Sequence, residues 1–244
     1  MKRSVWLIFA LFIGLRLLLA FRLPIFNDES IYMRWGVGFL QSPDRWWAFM
    51  LDGKQPGVAI SFGLAQLLPI DPLISMRLVS ILWSCITFWS VYAIIRRLIP
   101  KSSSVPSLLM FACCPYLILF DTLALAESAV TASFTASLYV SLSLCQKPKI
   151  WKGIALGVVI ALGWWFKSTA FLAIPLVVMT LFLYWKQWVH QWQRVVFGLV
   201  LGALIGFAMI SPVLFNPNID YKSTAVIART LSMKQLFTFP VARW

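Results

Sequence analysis

The chain has 244 residues, 61% of them apolar and only 12% charged, whereas charged residues make up about 25% of an ordinary soluble domain. That imbalance excludes a soluble globular protein and points to the membrane. A net charge of +13, from 21 Lys and Arg against 8 Asp and Glu, would suggest nucleic acid in a soluble chain. Here the cations fall in short breaks between apolar runs, as topology signals do, so no nucleic-acid partner is expected.

Lys2 and Arg3 precede an apolar run over 4–23 that is interrupted only by Arg16. It lacks the small-x-small cleavage site of a signal peptide and reads as a retained first span. Six more spans are predicted over 73–95, 105–120, 128–144, 153–166, 168–185 and 195–215. A hydrocarbon core of roughly 30 Å takes about 20 helical residues to cross, so about seven spans fit the length. The predicted class is all-α, because unpaired backbone excludes open sheets from lipid and no alternating strand pattern is present. A cytoplasmic N-terminus places Arg96, Arg97, Lys101, Lys147, Lys149, Lys152, Lys186 and Arg194 inside, as the Lys/Arg bias requires. The eight acids, which played no part in building this map, then all fall on the outer side. The whole of 1–244 reads as one multi-pass cell-membrane module, with 216–244 an outer C-terminal segment of a chain that could continue further.

Residues 24–72 form a large first extracytoplasmic loop with amphipathic pieces. Trp46 and Trp47 suit a short helix at the headgroup level, and 57–68 suits a short buried or interfacial helix. Cys85, Cys113, Cys114 and Cys145 lie in or beside apolar runs without metal-type spacing and read as packing residues.

Candidate chemistry begins just after the first span, at Asn27-Asp28-Glu29. Adjacent carboxylates where lipid meets water have raised affinity for protons, through partial desolvation and mutual repulsion, which suits one of them to proton abstraction. The turn Asp52-Gly53-Lys54-Gln55-Pro56-Gly57 can aim Lys54 at an anion. Arg77 and Lys167 are cations near the outer boundary, where a side chain either snorkels or meets a partner. Glu127, in LALAESAV, is costly unless paired or facing a wet cavity, whereas Asp121 reads as solvated near its loop. His190 falls at the cytoplasmic end, so no histidine triad is available on the outer face.

The succession FNDES, DGKQPG, SMRLVS, ALAES and WWFKS resembles the membrane glycosyltransferases of the GT-C superfamily, and within it the protein mannosyltransferase and aminoarabinose transferase group. That resemblance implies transfer of a sugar from a polyprenyl-phosphate donor to an acceptor, with Asp28 as catalytic base and Glu29 its partner in the acidic pair. It implies that Lys54, and less directly Lys167, meet the donor phosphate and that Glu127 occupies the second acidic position; Lys167 or Arg77 would then help Lys54 to stabilise the charge developing on that phosphate. Gln55-Pro56 departs from the family's double proline, and Trp165-Phe166-Lys167-Ser168 departs from its Leu-Thr-Lys-Gly. One carboxylate suffices for such an inverting displacement, because a phosphate leaving group needs charge stabilisation more than a strong acid. No cofactor is required; a divalent metal is the alternative, since Asp28, Glu29 and Glu127 are hard oxygen donors. The sugar and the acceptor are not encoded in recognisable motifs. Two rival classes are a non-catalytic assembly or scaffold subunit and a lipid-linked sugar transporter. Convergence of Asp28, Glu127, Lys54 and Lys167 on one cavity would favour the enzyme, and separate exposure to solvent the scaffold.

Overall fold

The computed structural model describes residues 2–52, 55–99 and 104–218, and every regular element among them is helical. Helix α1 spans Lys2–Ala20, α2 Asn27–Gln41, α3 Pro56–Ala65 and α4 Pro72–Leu98. Then come α5 over Ser104–Ala112, α6 over Pro115–Thr122, α7 over Ala126–Gln146 and α8 over Ile150–Phe166. A 3-10 turn at Ser168–Leu172 leads into α9, Ala173–Leu183; the short α10, Trp185–Trp188, precedes α11, Trp192–Leu214.

Four of these stretches are long and apolar enough to cross a bilayer, and five if α5 and α6 count as one broken span. The helices α8 and Ser168–Leu183 are apolar but shorter. The break between α5 and α6 is a bend of 52° inside what the sequence reads as one continuous span. Pro115 causes it: proline has no N–H to give and its ring clashes with the preceding turn, so a new helix starts there. Arg16 meets this break. Its Nη1 donates to the carbonyls of Phe12 and Ala112, at 3.1 and 3.5 Å, and its Nε and Nη2 donate to Asp121 Oδ2, at 3.1 and 2.7 Å. The expectation of a solvated Asp121 is therefore corrected. At 2% exposure it is a buried counter-ion, because a guanidinium inside an apolar span needs one.

The most extensive helix pair is α8 with α11, and its closeness follows from glycine. A Cβ at Gly157 would overlap the Gly202 carbonyl, and one at Gly153 the Gly198 carbonyl. Small residues every fourth position let two backbones touch where lipid offers no hydrophobic drive. Further along, Trp46 stacks on Trp165, with ring centroids 6.1 Å apart, and both pack against Trp164 and Ile210. Trp46 and Trp47, expected at the headgroup level, are partly buried and pack against residues of α8 and α11.

Connections alternate between two ends of the bundle. One end holds α2, α3 and the links before α4, α7 and α9; the other holds Arg97 and the α7–α8 turn.

Candidate functional site

Helix α4 starts sharply. Asp71 accepts from the backbone N–H of Leu73 and Ile74, at 2.9 and 3.1 Å, and Pro72 occupies the first turn, where its missing N–H costs nothing. The second turn then places Arg77 inside the protein. Its guanidinium grips Glu29 through Nε to Oε1, at 2.8 Å, and Nη2 to Oε2, at 2.7 Å. The remaining N–H groups donate to the carbonyls of Ala20, Leu23 and Pro24, at 2.8 to 2.9 Å. An arginine has five N–H donors, and all five are engaged by protein acceptors.

Glu29 is equally occupied. Its Oε1 also accepts from the Ala124 N–H and its Oε2 from the Phe26 N–H, each at 2.8 Å. The Phe26 contact is the backward half of a capping box at the start of α2. Burial would raise the affinity of this carboxyl for a proton, but the Arg77 fork and the two backbone N–H groups outweigh it and hold Glu29 below the usual carboxylate range. The end of α1, the start of α2, α4 and the α6–α7 link are all tied at this one carboxylate.

Asp28, one residue earlier, is half-buried and makes no ion pair among the described residues. Successive helix positions point about 100° apart, so one carboxylate is locked while its neighbour is left available. Tyr32, one turn further along α2, lies within electrostatic reach of both Asp28 and Glu127. Burial, and then those two carboxylates, push its phenol well above the ordinary value.

Glu127 is in the first turn of α7 and Lys167 is the residue that ends α8. Lys167 Nζ donates to Glu127 Oε1 at 2.7 Å with both side chains over a third exposed, while Glu127 Oε2 is buried without a partner. The pair borders a cavity of about 190 Å³ that also takes in Asp121, Thr131, Thr169 and Phe120. Asp28 is not among the residues lining it. Lys54 lies outside the described residues; three residues later, at Gly57, a Cβ would stand 2.5 Å from the Trp165 carbonyl. Only glycine permits that approach, and it brings the first turn of α3 against the last turn of α8, two residues before Lys167.

Among the described residues no three His, Cys, Asp or Glu side chains gather into a metal-ligand set. The cavity offers a cation able to hold an anionic oxygen and a carboxylate beside it, while Asp28 stands outside its lining.

Residues 56–215 match the family model described as dolichyl-phosphate-mannose-protein mannosyltransferase. The chain belongs to that mannosyltransferase family. As a member it is a multi-pass membrane glycosyltransferase, a class whose context is the bilayer and a lipid-linked sugar donor. The segment matching the mannosyltransferase model contains Arg77, Glu127 and Lys167 and begins after Asp28, Glu29 and Lys54. No curated protein and no solved structure matches the chain.

Two constellations escape a residue-by-residue reading of the sequence: the Arg77–Glu29 fork and the Arg16–Asp121 pair. The available signal was the cost of a cation in an apolar run, which demands a partner without saying which.

Proposed function

We propose that this family member transfers a sugar from a polyprenyl-phosphate donor to a hydroxyl or amine acceptor, with inversion, at the extracytoplasmic face. In this reading seven spans carry the module, the N-terminus is cytoplasmic, and Asp28 removes the acceptor proton as the nucleophile attacks the anomeric carbon. Lys167, together with Lys54, stabilises charge developing on the departing lipid phosphate. Glu127 holds Lys167 in place until the phosphate arrives. Glu29 and Arg77 act as positioning residues that fix the start of α2, and so the direction of Asp28.

What supports the reading most is the contrast within the acidic pair: Glu29 is held by four hydrogen bonds, whereas Asp28 carries no ion pair among the described residues. The Lys/Arg bias supports the orientation. The test uses the full chain in proteoliposomes supplied with radiolabelled polyprenyl-phosphate sugars on the face opposite the N-terminus. Transfer by the native chain should fall by a factor of about 10² to 10⁴ in Asp28→Asn. Equal transfer by the two proteins removes Asp28 from the mechanism.

A further inference from the structure

The end of the bundle opposite the candidate site carries a second polar construction that sugar transfer does not use. Arg97, in the last turn of α4, lies 4.7 Å from the centroid of the Tyr139 ring, and its Nη2 donates to Ser143 Oγ at 3.4 Å. Its Nη1 is buried and has no acceptor. Beside it Lys152, only 6% exposed, donates from Nζ to the carbonyls of Ser143 and Lys147, at 2.7 and 2.9 Å, and so closes the C-terminus of α7. An ammonium has three N–H donors, so one is left over. Arg97, Lys147 and Lys149 all lie within electrostatic reach of Lys152, and none of the four is paired with a carboxylate among the described residues.

A bias toward Lys and Arg at one membrane face orients a protein without any ligand, and that suffices for the exposed Lys147 and Lys149. It does not account for Arg97 and Lys152. A side chain that snorkels reaches water, whereas the Lys152 ammonium is enclosed and an Arg97 nitrogen is desolvated with nothing to donate to. Four like charges gathered from α4, α7 and α8 also repel one another. One anion would answer both costs.

We infer that Arg97, Lys152 and the Lys147–Lys149 turn bind the phosphate of an anionic phospholipid headgroup. Arg97 Nη1 and the remaining Lys152 N–H donate to its oxygens, and Lys147 and Lys149 supply charge at the rim. A lipid is favoured over a free anion because the cluster sits at the ends of α4 and α7, both long and apolar enough to cross a bilayer, and at the start of the apolar α8, so that its level matches that of headgroup phosphates.

The test places the full chain in nanodiscs of phosphatidylcholine containing a small fraction of phosphatidylglycerol and counts retained phosphatidylglycerol by native mass spectrometry. The control is Arg96→Gln, which removes the same charge one residue away from an exposed side chain that bonds to Tyr92. Arg97→Gln should reduce retention about tenfold, the loss expected for one charge-assisted hydrogen bond, while Arg96→Gln leaves it nearly unchanged. Equal losses in the two variants overturn the site in favour of diffuse attraction. If Arg97→Gln does not insert, Lys149→Gln, with an exposed side chain, takes its place and should lose more than Arg96→Gln; no difference overturns the proposal. Millimolar inorganic phosphate that displaces the lipid completely would overturn the lipid assignment and leave a free-phosphate site.

Discussion

The Arg77 guanidinium closes on the Glu29 carboxylate across 48 residues of sequence, through hydrogen bonds of 2.7 and 2.8 Å, with both side chains at most 1% exposed. Removing one member of such a pair strands the other. Arg77→Met should cost about 3 to 5 kcal/mol, read as a fall in the thermal midpoint in detergent. Arg77→Lys should rescue little, because an ammonium cannot reproduce a five-donor fork. A midpoint unchanged in Arg77→Met would mean that the fork does not hold these elements together.

The same pair sets an acid limb. Because Glu29 is held below its ordinary value of 4.5, its contribution to stability is fully present above that value. As pH falls below about 4.5 the unfolded carboxyl takes its proton first, and stability declines until the folded carboxyl is protonated too. Melting curves from pH 7 to 3 should show this decline in the native protein, with a shallower one in Glu29→Gln; parallel curves would contradict it.

At Arg16 and Asp121 the two single replacements and the double one should diverge. Asp121→Leu leaves a buried guanidinium unpaired and should destabilise by about 3 to 5 kcal/mol, whereas Arg16→Leu combined with Asp121→Leu should recover most of that loss. Additive losses would show that the two charges do not depend on each other.

The Glu127–Lys167 pair, partly open to solvent, behaves differently. Stability should change by no more than about 1 kcal/mol in Lys167→Met, while KM for the lipid-phosphate donor rises about tenfold or more, as losing a charge-assisted hydrogen bond demands. An unaltered KM would place the donor phosphate elsewhere.

Gly157 lies against the Gly202 carbonyl, so Gly157→Leu should force α8 from α11 at a cost of about 1 to 3 kcal/mol or more. Leu162→Ala, on an exposed position of the same helix, should change the midpoint little. Similar shifts in both would remove the special status of the glycine seam.

The all-helical class, the longest apolar helices, the short buried α3 and the need of Glu127 for a partner were legible in the sequence, because each is a local matter of apolar run length or of charge in an apolar setting; α2, which lies in the stretch read as an outer loop, was not. The bend at Pro115 was passed over because hydropathy runs unbroken through Cys113 and Cys114, and only backbone chemistry marks it. Asp121 looked solvated because it sits near a turn; its partner is 105 residues earlier, and no periodicity joins such distant positions. For Arg77 the choice between water and a partner could be posed but not resolved, since the carbonyls it fills belong to the end of another helix.

With only hydrogen on the Cα of Gly57, the first turn of α3 rests directly on the backbone of Trp165, near the end of α8. At that point the two helix ends leave no room for a side chain on Gly57. The last turn of α8, which leads into Lys167, and the first turn of α3 are therefore in backbone contact, so a displacement of either is expected to carry the other along.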